Sequence, residues 1–86
     1  MDKMTLAEFR QLSVPHRAHA TWNRGTFLAC VDTGRAGRSL YYLNGFYVEL
    51  IYDFQDNRVL GVFPFRDAWH LADWLERINI TELLNA

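Results

Sequence analysis

The sequence has few of the features that identify a compartment. Its 86 residues include one cysteine, Cys30, so an internal disulfide is excluded and nothing indicates an oxidising compartment. No apolar run approaches the roughly 18 residues that a membrane-spanning helix requires. The first ten residues lack the apolar core of a secretory signal peptide. We therefore expect a soluble, cytoplasmic protein.

Net charge is also low. Nine basic residues against ten acidic ones leave a charge of −1 at pH 7, and only one of the basic residues is a lysine. This balance gives no global electrostatic reason to bind nucleic acid or a membrane. The charges are unevenly placed, because residues 10–66 carry seven arginines and four acids, whereas residues 67–86 carry one arginine and four acids. We expect the acidic C-terminal segment to lie near arginines of the rest.

Repeats, low-complexity segments and linkers are missing as well, which predicts a single domain over residues 1–86. A domain of this size buries only roughly 60–65% of its unfolded surface. Half of the residues are apolar and 15% are aromatic. Because so small a domain cannot easily hide that much apolar surface, the composition indicates that some of it stays exposed.

The strongest structural signal is Asn44-Gly45 between two apolar runs, since a type I′ hairpin turn needs positive φ at both central residues. The two-residue turn places Leu40 opposite Glu49, and side chains then alternate between two faces of the hairpin. The first face consists of Tyr41, Leu43, Phe46, Val48, Leu50 and Tyr52. The second face consists of Leu40, Tyr42, Tyr47, Glu49 and Ile51. The wholly apolar first face is the natural core side.

Capping signals predict the helices. Thr5 and Glu8 form a capping box for a short first helix, and Ser13 can cap a second helix that ends at Gly25 in a left-handed conformation. Asp67 can cap the C-terminal helix. The residues expected to point inward from the second helix are Ala18, Thr21 and Trp22. The buried stripe expected on the last helix is Ala68, Leu71, Trp74, Leu75 and Ile78, with a further helical turn at Thr81 to Leu84.

Two more strands flank the hairpin. Residues 26–32 are apolar on both sides, which predicts a central or covered strand. Residues 58–65 contain Gly61 and Pro64, which place that strand at an edge. The predicted fold is α+β: short N-terminal helices, a four-stranded antiparallel β-meander, and a C-terminal helix packed on one sheet face.

Four segments carry a resemblance to known proteins: Phe9 to Leu12, Trp22 to Ala29, Leu40 to Tyr52, and Leu71 to Leu84. With them the chain resembles a group of short bacterial α+β proteins of unknown function. The resemblance covers most of the chain, but its residues are chiefly structural. It implies the fold, and it implies no activity, cofactor or catalytic residue.

The sequence gives little support for a metal site or for a catalytic cysteine. His16 and His19 share a helix face, as do His70 and Asp73, and the two pairs would form a tetrahedral zinc site only if their helices lay side by side. We expect solvated histidines instead. Cys30 lies in an apolar strand, which predicts an inert buried thiol rather than a nucleophile.

Glu49 is the unusual residue of the second face, because an ionised carboxylate among apolar side chains needs a partner. We expect it on a partly solvated sheet face beside an arginine. A polar contact at an interface and a role in ligand binding or acid/base chemistry are the alternatives.

The function expected from this pattern is that of a small non-enzymatic protein-interaction module without a cofactor. Aromatic residues are enriched at interface centres, and monomers seldom leave such a patch bare, so we expect a homodimer. The predicted interface consists of Leu40, Tyr42, Tyr47, Glu49 and Ile51. The alternative is a small-ligand or single-stranded nucleic-acid-binding domain that uses the same aromatic face. Its flanking arginines would be Arg24, Arg38 and Arg58. An unidentified protein partner also fits this pattern.

Overall fold

The computed structural model describes residues 3–32 and 34–77, without the side chain of Arg77. Its helices are α1 (Leu6–Arg10), α2 (Val14–Arg24) and α3 (Ala68–Arg77), and its strands are β1 (Thr26–Asp32), β2 (Ala36–Leu43), β3 (Phe46–Asp53) and β4 (Arg58–Phe65). The strands form one antiparallel sheet in the order β1-β2-β3-β4. The predicted α+β class and the meander are confirmed. Ile78 and Thr81 to Leu84 lie outside the described residues.

The hairpin has the predicted turn and register. Asn44 and Gly45 both have positive φ, 45° and 92°, and Leu40 lies opposite Glu49. The helix starts are confirmed too. Thr5 and Glu8 form the capping box of α1, and the Asp67 carboxylate accepts from the backbone N–H of His70 at 2.8 Å. Local sequence therefore determines these turns and caps.

The main core lies between the first face and the two N-terminal helices. Phe9 of α1 packs edge-on against Phe46 of β3, with ring centroids 5.4 Å apart. The guanidinium of Arg17 donates to the carbonyls of Arg10 and Val62, which joins α2 to both α1 and β4. The buried members of this core are Phe9, Ala18, Ala20, Leu43, Phe46, Val48, Leu50 and Val62. Both helices lie toward β4, so part of the first face over β1 and β2 is left open.

A second core lies on the second face, beneath α3. Its buried members are Leu40, Phe65 and Trp74. Trp74 belongs to the predicted stripe of α3 and is buried, but the prediction is wrong for Ala68, which is exposed, and for Leu75, which is more than half exposed. The helix is turned so that His70, expected to face outward, points to the sheet.

Three further predictions are wrong. β1 is an edge strand rather than a covered one, since it pairs only with β2. Trp22 is half exposed, although its neighbour Thr21 is buried as expected. Gly25 is extended (φ −83°, ψ 156°) because the chain passes directly from α2 into β1. A glycine is needed there for another reason, since a Cβ atom would lie 2.6 Å from the Thr21 carbonyl oxygen.

β4 lies at the other edge, as Gly61 and Pro64 predicted, and its pairing with β3 contains a bulge.

None of the helices in the described part of the chain has the length and apolar character that crossing a membrane requires.

The turn gives a first test of the fold. The change Gly45→Ala should lower the free energy of unfolding by about 1–2 kcal/mol, because an L side chain is disfavoured at positive φ. A Cβ atom at position 45 would meet nothing within 4 Å, so the loss would come from the backbone alone. Gly45→Asn is the control, since asparagine tolerates this region and should cost less. Urea denaturation measures both, and an unchanged stability of Gly45→Ala would contradict the turn assignment.

Candidate functional site

The most concentrated polar cluster lies under α3, where Glu49 of β3 is only 4% exposed. Oε2 of Glu49 accepts from Nε of Arg38 at 2.6 Å. Oε1 accepts from Nε2 of His70 at 2.7 Å and from Nε1 of Trp74 at 3.0 Å. Both carboxylate oxygens are therefore bonded to donors from the sheet and the helix.

Regular structure brings these groups together. Arg38 lies opposite Ile51, so it is the diagonal cross-strand neighbour of Glu49. His70 and Trp74 are four residues apart on α3 and therefore share one side of the helix. Contacts with aromatic rings also hold two of the donors, His70 and Arg38, in position. Phe65 stacks on His70 with centroids 3.8 Å apart, and the Arg38 guanidinium lies 5.2 Å from the centre of the Trp74 ring.

The hydrogen bonds keep Glu49 ionised. Burial would raise the pKa of its carboxyl, but the bonds from Arg38, His70 and Trp74, together with the charge of Arg38, hold that pKa below its ordinary value. The bond to Glu49 raises the pKa of Arg38, against burial, which lowers it, and Asp73 of α3 adds to the rise. The expected approach of acidic C-terminal residues to sheet arginines is thus found at Arg38.

We call the cluster of Glu49 with Arg38, His70 and Trp74 the anchor. Its chemistry is better suited to holding α3 on the sheet than to catalysis. A general base works best with a pKa near the operating pH, whereas that of Glu49 is lowered and both of its oxygens already accept hydrogen bonds. The cluster joins β2, β3 and α3 through charge-assisted bonds, which are stronger than neutral ones. Of the expectations for Glu49, the arginine neighbour is confirmed and the partly solvated setting is wrong.

The anchor changes what the second face offers to a partner. Leu40 and Glu49, two of the five predicted interface residues, are buried by α3. Tyr47 and Ile51 are partly buried, and Tyr42 alone is exposed. The premise of a second face left uncovered as a whole is therefore wrong, because a helix of ten residues lies across its middle.

The three arginines proposed for nucleic-acid contact do not form one surface. Arg24 ends α2 beside β1, and Arg58 begins β4 at the opposite edge of the sheet. Arg38 donates to Glu49 and lies over the ring of Trp74. The structure therefore does not bring the three flanking arginines of the alternative function together.

The two histidine pairs also remain apart. α2 packs on the first face and α3 on the second, so His16 and His19 lie across the sheet from His70 and Asp73. Nδ1 of His16 is 2.9 Å from the hydroxyl of Ser13, the cap of α2. Within residues 3–32 and 34–77, His, Cys, Asp and Glu side chains do not gather in threes that would hold a metal ion.

A groove over the open part of the first face was missed by the sequence reasoning. Three cross-strand rows form it: Phe27 with Tyr41, then Cys30 with Ser39 and Leu50, then Asp32 with Gly37 and Tyr52. Trp22 of α2 and Phe54 of the β3–β4 turn complete its walls. We call this the aromatic groove, and its volume is about 330 Å³. Cys30 is exposed in it, so the expectation of a buried thiol is wrong.

Gly37 was the available signal for the groove. A Cβ atom on this strand glycine would lie 2.7 Å from the ring of Phe54, so the absence of a side chain lets that ring lie against β2. The helix lengths were the second signal, since α1 and α2 have five and eleven residues and do not cover four strands.

The anchor makes a direct prediction for Glu49→Gln. This change keeps the side-chain shape but removes the charge that three donors share, so it should lower the free energy of unfolding by about 2 kcal/mol or more. Glu76→Gln, at an exposed position of α3, is the matched control and should cost little. Urea denaturation of both proteins measures the difference, and equal losses would contradict the anchor.

The lowered pKa of Glu49 predicts a pH dependence with a definite sign. The stabilisation is complete above the ordinary glutamate pKa, about 4.3, and is lost as the pH falls through the lower pKa of the folded protein. The stability difference between wild type and Glu49→Gln should therefore shrink as the pH falls below about 5. Chemical denaturation across this range measures it, and a constant difference would show that Glu49 is not titrating as described.

Comparison of the chain with protein-family models, with curated proteins and with solved structures finds no match. The geometry of the anchor, the aromatic groove and the exposed side chains therefore provides the grounds for assigning a function.

Proposed function

We propose that the protein is a small non-enzymatic interaction module that self-associates through a patch at the β1 edge of its sheet. The edge patch consists of Trp22, Phe27, Leu28 and Tyr42. This proposal keeps the homodimer that the sequence predicts and retains Tyr42 of the predicted interface. It moves the centre of the contact from the second face to the sheet edge.

The observation that carries the proposal is the exposure of these four neighbouring side chains. The exposed fractions are 52% for Trp22, 55% for Phe27, 44% for Leu28 and 42% for Tyr42. Tyr42 lies opposite Thr26, the residue before Phe27, so the patch wraps around the start of β1. Trp, Tyr and Phe are the residues enriched at the centres of protein interfaces. Phe27 lies on the first face and Tyr42 on the second, so apolar surface is exposed on both sides of this edge, and such surface is typical of an association site.

The two sheet edges differ in what they offer a second copy. β4 carries Pro64, which lacks an N–H group and so discourages strand pairing. β1 has no proline, but a bulge at Leu28 interrupts its pairing with β2. We therefore propose contact by packing of side chains rather than by one continuous eight-stranded sheet. The two-fold arrangement, in which both copies use the same patch, is the commonest for homo-oligomers.

The non-enzymatic part of the proposal rests on the chemistry of the anchor. Glu49, the acid with the lowered pKa, is bonded to Arg38, His70 and Trp74 and thereby holds α3 on the sheet. The cluster stabilises the module, and the proposed contact uses the edge patch.

The proposal predicts the mass in solution. Sedimentation equilibrium should give twice the chain mass for the wild type at micromolar concentration. The double change Leu28→Lys with Tyr42→Lys places charges in the patch and should raise the dimer dissociation constant by at least about tenfold. Circular dichroism should show that the variant stays folded, because both side chains are already exposed.

Trp69→Lys is the matched control. Trp69 is 86% exposed in the first turn of α3, which follows β4 at the other edge of the sheet, so charging it should leave the dimer intact. A wild type that stays monomeric at high concentration would overturn the proposal. So would dissociation by Trp69→Lys equal to that caused by the patch variant.

A further inference from the structure

The aromatic groove has features that self-association at the edge patch does not require. Five rings line it, from Trp22, Phe27, Tyr41, Tyr52 and Phe54. They include two packed pairs, Phe27 with Tyr41 at 5.6 Å and Tyr52 with Phe54 at 6.0 Å between centroids. The volume of about 330 Å³ lies within the range of small-molecule sites, roughly 300–1,000 Å³.

The charge in the groove is of one sign. Among the described residues that line it, Asp32 is the only side chain charged at neutral pH. Arg24 and Arg35 lie near groove residues in the sequence, but neither of them lines the groove. Aromatic faces are electron-rich and attract cations, and a carboxylate beside them adds to that attraction. Rings and carboxylate together favour a positively charged ligand over a neutral or anionic one.

Several of these groups are already held in position. Oδ1 of Asp32 accepts from the backbone N–H of Gly34 at 2.6 Å. The hydroxyl of Tyr52 donates to Oδ1 of Asn57. The Phe54 ring lies against Gly37, and the Phe54 backbone N–H donates to the Arg35 carbonyl at 3.0 Å. Groups fixed before binding lose less conformational freedom when a ligand arrives.

We propose that the aromatic groove binds a small organic cation of the quaternary or methylated ammonium class, between its rings and the carboxylate of Asp32. Such a cation matches the groove in two ways, because its methyl groups contact aromatic faces and each methyl group replaces an N–H that would otherwise bond to water. This site goes beyond the proposed self-association, although Trp22 and Phe27 belong to both surfaces.

Two isosteric probes test the proposal. Choline carries the charge, and 3,3-dimethylbutan-1-ol has the same shape without it. Each is titrated at constant ionic strength, with sodium chloride replaced by choline chloride, while NMR follows the backbone amides of Ser39 and Tyr41. Choline should bind roughly fivefold or more tightly than the alcohol, the ratio expected of cation–π contacts at a partly exposed site. Equal affinities, or no shifts with choline at the highest concentration, would overturn the proposal.

Variants locate the site. Asp32→Asn should lower the preference for choline at least about twofold, because the carboxylate is lost while the rings remain, whereas Glu76→Gln removes the same charge on α3 and should leave the preference unchanged. Phe54→Leu removes one ring without changing the charge and should weaken choline more than the alcohol. A preference that survives both Asp32→Asn and Phe54→Leu would place the cation elsewhere and overturn the assignment.

The double variant Leu28→Lys with Tyr42→Lys separates this site from self-association. Neither residue lines the groove, so the variant should still bind choline, with a preference lowered somewhat by the two added positive charges. Retained binding by a monomer supports a groove formed by one chain, even if no dimer exists in the wild type. If the variant is folded but no longer binds choline, a site formed by one chain is overturned, whether or not the wild type forms a dimer.

Discussion

The structure depends on satisfying one buried carboxylate. Glu49 lies in the middle of the sheet among apolar neighbours, where an unpaired charge would cost several kcal/mol. Its donors come from two places, Arg38 on the adjacent strand and His70 with Trp74 on α3. The helix donors are available only when α3 lies across the second face. The position of α3 is thus coupled to the ionisation of Glu49, and the helix also buries Leu40 as it lies there.

The placement of the helices determines which surfaces remain for binding. α1 and α2 pack toward β4 on the first face, and α3 covers the centre of the second. The β1 side is left with an exposed edge patch and, beside it, the open aromatic groove. Part of the exposed apolar surface expected from the composition is located there, and the rest lies at the start of α2 and on β4 and α3. Both proposals, self-association at the edge patch and cation binding in the groove, concern the region that the helices leave uncovered.

Local signals in the sequence predicted local structure well. Asn44-Gly45 specified the turn and the register, and Thr5, Ser13 and Asp67 specified helix starts, because each acts on its own backbone within a few residues. Glu49 could be recognised as needing an arginine partner. Its burial could not, since that depends on the rotation of α3, and the apolar pattern of this helix favoured Leu75 over His70. β1 was misassigned because an edge strand facing a groove is as apolar as a covered strand.

Hydrogen exchange of the three indole N–H groups, followed by NMR, tests the central claim most directly. Trp74 donates its indole proton to Glu49 in a fully buried position, while Trp22 is half exposed and Trp69 almost fully exposed. The account predicts one slowly exchanging indole, assigned to Trp74, whose protection falls in Glu49→Gln. Rapid exchange of all three indoles in the wild type would contradict it, because α3 would then not be held on the sheet by Glu49.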